Sequence, residues 1–465
     1  MTGDGNDIAQ IGTLCEKYNL YFILDASQTA GTIEIDMEQN HISAICFTGH
    51  KGLFGPQGTG GIALADGVCV KPLLSGGSGV HSFERKHPME LPAALEAGTL
   101  NGHGIAGLHA ALDWIKKTGI AAIHEKEMAL AEQFQRGIET IPGIHLYGGE
   151  KRVAAIVSCN LADLDSAYVS DCLAEDYGIA TRAGVHCAPL MHTHFGTEKQ
   201  GMVRFSFSCF NTTEEVEKAV RAMQDIAAEN RGKVTAYVGA GGKTSSIRKR
   251  AETLRAEGKR VLILTTTKMM VPQEQEIFAA YEQTGQESVI SATVSVWQER
   301  RAAEKQLKER VQSVLDTYGC CVAGSLIPGT EKFGMLPEKL MEDLLYLADE
   351  ILIEADGSAH MPVKAPAEHE PVLFPYMDEV VIVMGAHAIG KPLQKVCHRV
   401  DYAKKILKCD ADKIVTAADI RALAEQGYAI PIQKQFPWMK ISKVTGKDIK
   451  LCLTAEKKDK VRDKQ

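Results

Sequence analysis

The chain has 465 residues, 45% of them hydrophobic and 24% charged, with a formal net charge of −7. This balance excludes a disordered chain, which needs low hydrophobicity with high net charge, and the acidic surplus gives no basic field for nucleic acid. No apolar run reaches the roughly 18 residues that a membrane helix needs, so no membrane partner is expected.

Length alone predicts roughly three domains at about 150 residues each. The start, MTGDGNDIAQIG, has no basic patch leading into an apolar core. No export signal is read, and a cytoplasmic chain is expected. Twelve scattered cysteines then read as reduced thiols rather than a disulfide framework. In the first half, short strands are expected at 20–24, ending at Asp25, and at 42–47, ending at Thr48-Gly49-His50-Lys51. Polar groups just beyond strand ends are the usual site geometry of open α/β sheets. Helical stretches at 121–138, 165–175 and 214–229 interleave with strands at 153–159 and 202–208, which predicts a smaller α+β subdomain.

The lysine and the aspartate invite a specific chemistry. Lys51 among glycines can form an imine with a bound carbonyl. Asp25, 26 residues earlier, can pair with the pyridinium nitrogen of pyridoxal phosphate and keep the ring an electron sink. On spacing alone, a surface lysine and a strand-end carboxylate remain the simpler reading. Cys15, Cys46, Cys69, Cys159, Cys172 and Cys209 lie in apolar contexts and are expected to pack. The set Cys187, His192 and His194 has no common zinc spacing.

Four segments in order, DASQTAG from Asp25, TGHKGLFGPQGTGG from Thr48, EAGTLN from Glu96 and RAGVHCAPL from Arg182, resemble class V aminotransferase-fold enzymes, and among them the cysteine desulfurases. The resemblance covers nearly all of 1–228 and implies a partial fold-type I architecture: a large-domain remnant with a small α+β subdomain. It implies that Lys51 holds pyridoxal phosphate as a Schiff base, that Asp25 pairs with the ring nitrogen and that Gln28 bonds the ring oxygen. Thr48 and His50 would contact the phosphate, and Thr99 would reach the phosphate of a neighbouring protomer in a homodimer. His50 joins Lys51 and Cys187 as a catalytic candidate. Arg204 would clamp the carboxylate of a cysteine or selenium-carrying substrate, as a guanidinium does bidentately. Cys187 would accept the sulfur as a persulfide, its thiolate favoured by His186 and Arg182. The family pattern also contains a long region ahead of the point matched by Met1. Its absence is expected to leave strand edges without partners.

A polar stretch, AAENRGK, separates this half from a second one at 233–465. There a strand is expected over 233–238, followed by Gly239-Ala240-Gly241-Gly242-Lys243-Thr244-Ser245 and a helix over 246–257. Strand, glycine turn ending in Gly-Lys-Thr, then helix is the context of a P-loop. Small glycines let backbone amides face phosphates at a helix start. Lys243 would reach the outer phosphates of a nucleoside triphosphate and Thr244 would ligand magnesium. The usual pattern has a glycine six residues before the lysine, where this chain has Tyr237. The alternative is a tight structural turn. A strand at 350–354 running into Asp356 makes Glu354 and Asp356 candidates for the metal.

The helix cluster Arg248-Lys249-Arg250, with Arg255, reads as a solvated face. Cys320-Cys321 reads as core, and the charged tail from 455 as a frayed end. Six segments in order, VGAGGKTS, LTTTKM, IEADGSA, KAPAEHEP, GKPL and HRV, resemble the selenium-dependent hydroxylase accessory protein family YqeC over about 233–455. That resemblance implies a P-loop-like α/β nucleotide-binding domain. It also implies partners in the maturation of a molybdenum hydroxylase cofactor. Lys268, Lys364, His369 and His398 are polar candidates without an assigned role. The two resemblances together imply sulfur or selenium mobilisation coupled to a nucleotide-driven step. The alternative is a non-catalytic desulfurase-like docking module fused to a nucleotide-binding maturation factor.

Overall fold

A computed structural model describes residues 1–81, 83–148, 151–282 and 294–446. The frayed end expected from 455 lies outside the described residues. The chain divides into two compact units, Met1–Ile226 and Ala227–Gln465.

The first unit opens with α1 (Ile8–Lys17), whose start is capped by Asp7 accepting from the Gln10 amide. Then come the strands β1 (Ile23–Asp25), β2 (Ala44–Thr48) and β3 (Gly60–Leu64). β1 runs parallel to β2 with Asp25 opposite Cys46, and β3 returns antiparallel. This small sheet is poorly covered within its own unit, and Ile23 is 66% exposed. The helices α2 (Gly102–Thr118) and α3 (Ile120–Ile138) follow. Gly119 breaks between them with φ +91°, a left-handed value that glycine takes without strain.

A second sheet holds β4 (Ile144–Tyr147), β5 (Ile156–Leu161) and β6 (Val203–Ser206), all antiparallel. α4 (Ser166–Tyr177), α5 (Pro189–Phe195) and α6 (Thr213–Asn230) complete the unit. Phe134 of α3 packs on Phe205 of β6 with ring centroids 4.3 Å apart. This is the α+β subdomain that the alternating pattern predicted. Among the cysteines expected to pack, Cys159 and Cys209 are buried, whereas Cys69 is exposed in a loop.

The second unit is built on a nine-stranded sheet. Its members are β7 (Lys233–Gly239), β8 (Val261–Thr265), β9 (Lys268–Met270), β10 (Phe278–Tyr281), β11 (Cys320–Leu326), β12 (Lys332–Gly334), β13 (Glu350–Glu354), β15 (Glu379–Gly385) and β17 (Lys440–Gly446). Two shorter strands, β14 (Val363–Lys364) and β16 (Cys397–His398), pair with each other. The order β17-β15-β7-β13-β8-β11 is parallel throughout, with β7 between β13 and β15.

Parallel strands covered on both faces read as continuous apolar runs, as β13 shows. Ile351 and Ile353 face one core with Val234, Ala236 and Val238, while Leu352 faces the other with Tyr237. α7 (Lys243–Ala256) covers the Tyr237 face through Ile247, Ala251 and Leu254. α8 (Val294–Tyr318) and α9 (Glu338–Leu344) cover the opposite face. Cys320 and Cys321 sit in β11 as core thiols that burial pushes up to about 11 and about 12. Arg248, Lys249 and Arg250 are exposed on α7. No helix among the described residues is long and apolar enough to cross a membrane.

Candidate functional site

In the first unit the polar candidates gather where β1 and β2 end. Asp25 closes β1, and its carboxylate accepts the Ser27 amide at 2.9 Å. Hydrogen bonding from Ser27, with a smaller contribution from the Lys51 charge, holds this carboxyl below its ordinary value. Thr48 closes β2, and its Oγ1 lies 2.7 Å from His50 Nδ1. The chain then bends through Gly49, where a Cβ would stand 2.2 Å from Thr59 Oγ1, so no larger residue fits there. Asp25, Gln28, His50, Lys51 and Thr99 are all exposed, and Thr48 is half-buried.

Cys187 and Arg204 lie in the α+β part. Arg182 and Arg204 face each other as an antiparallel bridge, and Arg182 Nη2 donates to Cys187 Sγ at 3.5 Å. Burial, with repulsion from Arg182, lowers the Arg204 pKa. His186 and Cys187 take left-handed φ values of 53° and 58°, which turns the thiol outward. His186 Nε2 meets the Arg182 carbonyl at 2.8 Å and anchors the loop beside the exposed Cys187. His192 is fully buried and bonds Thr197 Oγ1 at 2.9 Å. No cluster of three or more metal-ligating side chains occurs among the described residues.

The second unit presents its chemistry at the carboxyl ends of β7, β8, β13 and β15, where open α/β sheets hold ligands. Gly239, Gly241 and Gly242 have φ of 91°, 79° and 129°. A Cβ at Gly239 would meet the Val383 carbonyl oxygen at 2.3 Å, and one at Gly241 the Pro362 carbonyl at 2.3 Å. The helix starts at Lys243, three residues earlier than expected, because Gly242 is its N-cap. No side chain caps that end, so its first amides remain available to an anion.

Lys243 is 4% exposed and its ammonium donates to the Gly239 carbonyl at 2.8 Å. Burial lowers its pKa against the opposing pull of Glu354 and Asp356. Thr244 Oγ1 donates to Glu354 Oε2 at 2.8 Å. Burial raises the Glu354 carboxyl above its ordinary range, with Lys243 working the other way.

Asp356, grouped with Glu354 by the sequence, has different surroundings. It is fully buried, and its Oδ2 accepts the Gly239 amide at 3.1 Å and the Tyr428 hydroxyl at 2.7 Å. Its Oδ1 is held by Lys364. Lys364, also fully buried, pairs in addition with Glu370 at 2.7 Å, and Glu370 with Arg399 at 2.8 Å. His398 stands opposite Lys364 in the β14–β16 pair, and burial lowers its pKa. Lys268 and His369 are exposed and outside this network.

Tyr428 and Arg399 were not singled out by residue pattern. Tyr428 is 72 residues from Asp356, a separation that no local motif spans. Arg399 had a signal in the HRV segment, and its φ of 64° marks it as strained at the start of the helix after β16.

Comparison with known proteins gives a separate match for each half. The class-V aminotransferase family model matches residues 1–219. The YqeC protein family model matches residues 235–401. The front half is cysteine-desulfurase-like and the rear half carries a YqeC domain. A probable cysteine desulfurase of Methanothermobacter thermautotrophicus is 34% identical over 230 residues, 48% of this chain and 58% of that protein. A cysteine desulfurase of Shigella flexneri is 31% identical over 229 residues, 48% of this chain and 55% of that protein. The chain thus spans little more than half the length of these relatives. Among solved structures, an apo cysteine desulfurase of Thermococcus onnurineus NA1 aligns with a TM-score of 0.46 at 30% identity, over 49% of this chain and 57% of that one.

Proposed function

We propose that the chain joins a pyridoxal-phosphate-dependent half that mobilises sulfur or selenium from a cysteine-like substrate to a half that binds a nucleoside triphosphate with magnesium. The two would serve maturation of the cofactor of a selenium-dependent molybdenum hydroxylase, with the front half as a homodimer. The rear-half geometry carries the reading. A glycine turn between a central parallel strand and an uncapped helix puts a buried lysine at the helix start, opposite a buried glutamate. Backbone amides and Lys243 would take the phosphates, and Thr244 with Glu354 would take the metal. Titration of the full chain with MgATP and MgGTP, followed by calorimetry, tests this. Binding should be lost in Lys243→Ala, and a parent that binds neither nucleotide contradicts the reading.

In the front half the donor set fits pyridoxal phosphate. Asp25 is kept ionised beside Lys51, and Thr48 and His50 are bonded to each other at the end of the adjacent strand. When bound, the group supplies an electron sink. Arg204 would grip the substrate carboxylate, and Cys187, held near Arg182, would receive the transferred atom.

A second reading makes the front half a non-catalytic docking module. The exposure of Asp25, Gln28, His50, Lys51 and Thr99 favours it, since an open site gives weak electrostatic control. Borohydride treatment with pyridoxal phosphate separates the two. The first reading expects the pyridoxyl group fixed on Lys51; the second expects none.

A further inference from the structure

We propose that Tyr428 is a positioning residue of the glycine turn. Acting through Asp356, its hydroxyl fixes the Gly239 amide and the Lys364 ammonium, and so sets the affinity of the turn for phosphate. The inference rests on the reading of 239–244 as a phosphate site.

The network begins at a carboxylate with no access to water. Asp356 is fully buried, and such a group persists as a charge only where donors surround it. Its Oδ2 takes two, the Gly239 amide at 3.1 Å and the Tyr428 hydroxyl at 2.7 Å. Its Oδ1 takes Lys364. The lysine ammonium has three donors and three acceptors: Asp356, the Gly357 carbonyl and Glu370. The second oxygen of Glu370 accepts from Arg399 at 2.8 Å. Signs therefore alternate from Asp356 to Arg399, and removing any one member strands its neighbour's charge.

Gly239 is the end of this network that opens the glycine turn, its amide tied to Asp356. A side chain at Gly239 would strike the β15 backbone, so the turn has one seat, and the direction of its first amide is set by Asp356. Tyr428 is the other end. It lies in a widened, π-helical turn at Leu423–Ala429, a departure from α-helix that recurs at functional sites. The ring is wholly buried in the main core. Phenylalanine would fill that core equally, so packing alone gives no reason for the hydroxyl. Burial raises the Tyr428 pKa, so the group stays a donor across the working pH range.

The test compares the full-length parent with Tyr428→Phe, which keeps the ring. Amide exchange over 237–245 should quicken about tenfold more than exchange in Cys320–Leu326, and the unfolding midpoint should fall modestly because a buried charge loses one donor. MgATP affinity by calorimetry should fall by up to about tenfold, the worth of a lost hydrogen bond to a charged group being the ceiling because Tyr428 acts through Asp356. Unchanged exchange at the turn overturns the proposal. Exchange quickened equally in the turn and in Cys320–Leu326 also overturns it, because the tyrosine is then ordinary core. A parent that binds neither MgATP nor MgGTP overturns the phosphate reading and the affinity claim. In that case faster exchange confined to the turn still upholds the Tyr428–Asp356 coupling.

Discussion

Both units gather polar groups at the carboxyl ends of parallel strands, but water reaches them very differently. In the first unit Asp25, His50 and Lys51 extend from a three-stranded sheet and are exposed. In the second, Lys243, Glu354 and Asp356 lie at strand ends of a nine-stranded sheet covered on both faces, Lys364 lies on the β14–β16 pair, and all are buried. The same charge pair interacts several times more strongly away from bulk water. Residue type and strand position therefore match between the two sites while the local dielectric does not. By this measure the rear site is the preorganised one, and the front site depends on whatever covers it.

Four substitutions bear on that contrast, in decreasing order of consequence. Cys187→Ser should abolish release of sulfur from cysteine while leaving MgATP binding intact; retained release would remove Cys187 from the chemistry. Leu352→Ala opens a cavity in the middle of the rear sheet and should cost about 2–5 kcal/mol by denaturant unfolding. Lys243→Ala should weaken MgATP by at least about a hundredfold, so that calorimetry detects no binding, and the loss should persist at high salt because the group is buried.

Glu354→Gln should raise stability at neutral pH and weaken the dependence of nucleotide binding on magnesium. The sign follows from the raised carboxyl pKa. Folding favours the protonated form, so that contribution is fully present below the ordinary carboxyl range and is lost as pH climbs through the raised value. The glutamine variant should therefore show a flatter stability profile above that range, and a profile unchanged from the parent would contradict the assignment.

Much of this was legible in residue order. The helix over 121–138 and the strand over 350–354 appear with little or no shift, because 3.6-residue and continuous apolar patterns are set locally. Boundaries moved where backbone conformation decides. The β1 strand covers Ile23–Asp25 instead of 20–24, and α7 begins at Lys243 because a glycine cap needs no side-chain signature. Asp356 and Glu354 read alike as strand-end acids. Their neighbours divide them: Thr244 and Lys243 for Glu354, Tyr428 and Lys364 for Asp356. Those partners come from distant segments, and a single sequence carries no sign of which distant segment will arrive.

Calorimetric titration of the full-length chain with MgATP, repeated on Lys243→Ala and Cys187→Ser, bears most directly on the claim that the rear unit is a formed phosphate site independent of the front one. One binding event per chain, kept in Cys187→Ser and lost in Lys243→Ala, is the result expected. A flat titration of the parent, or equal binding in all three proteins, would contradict it.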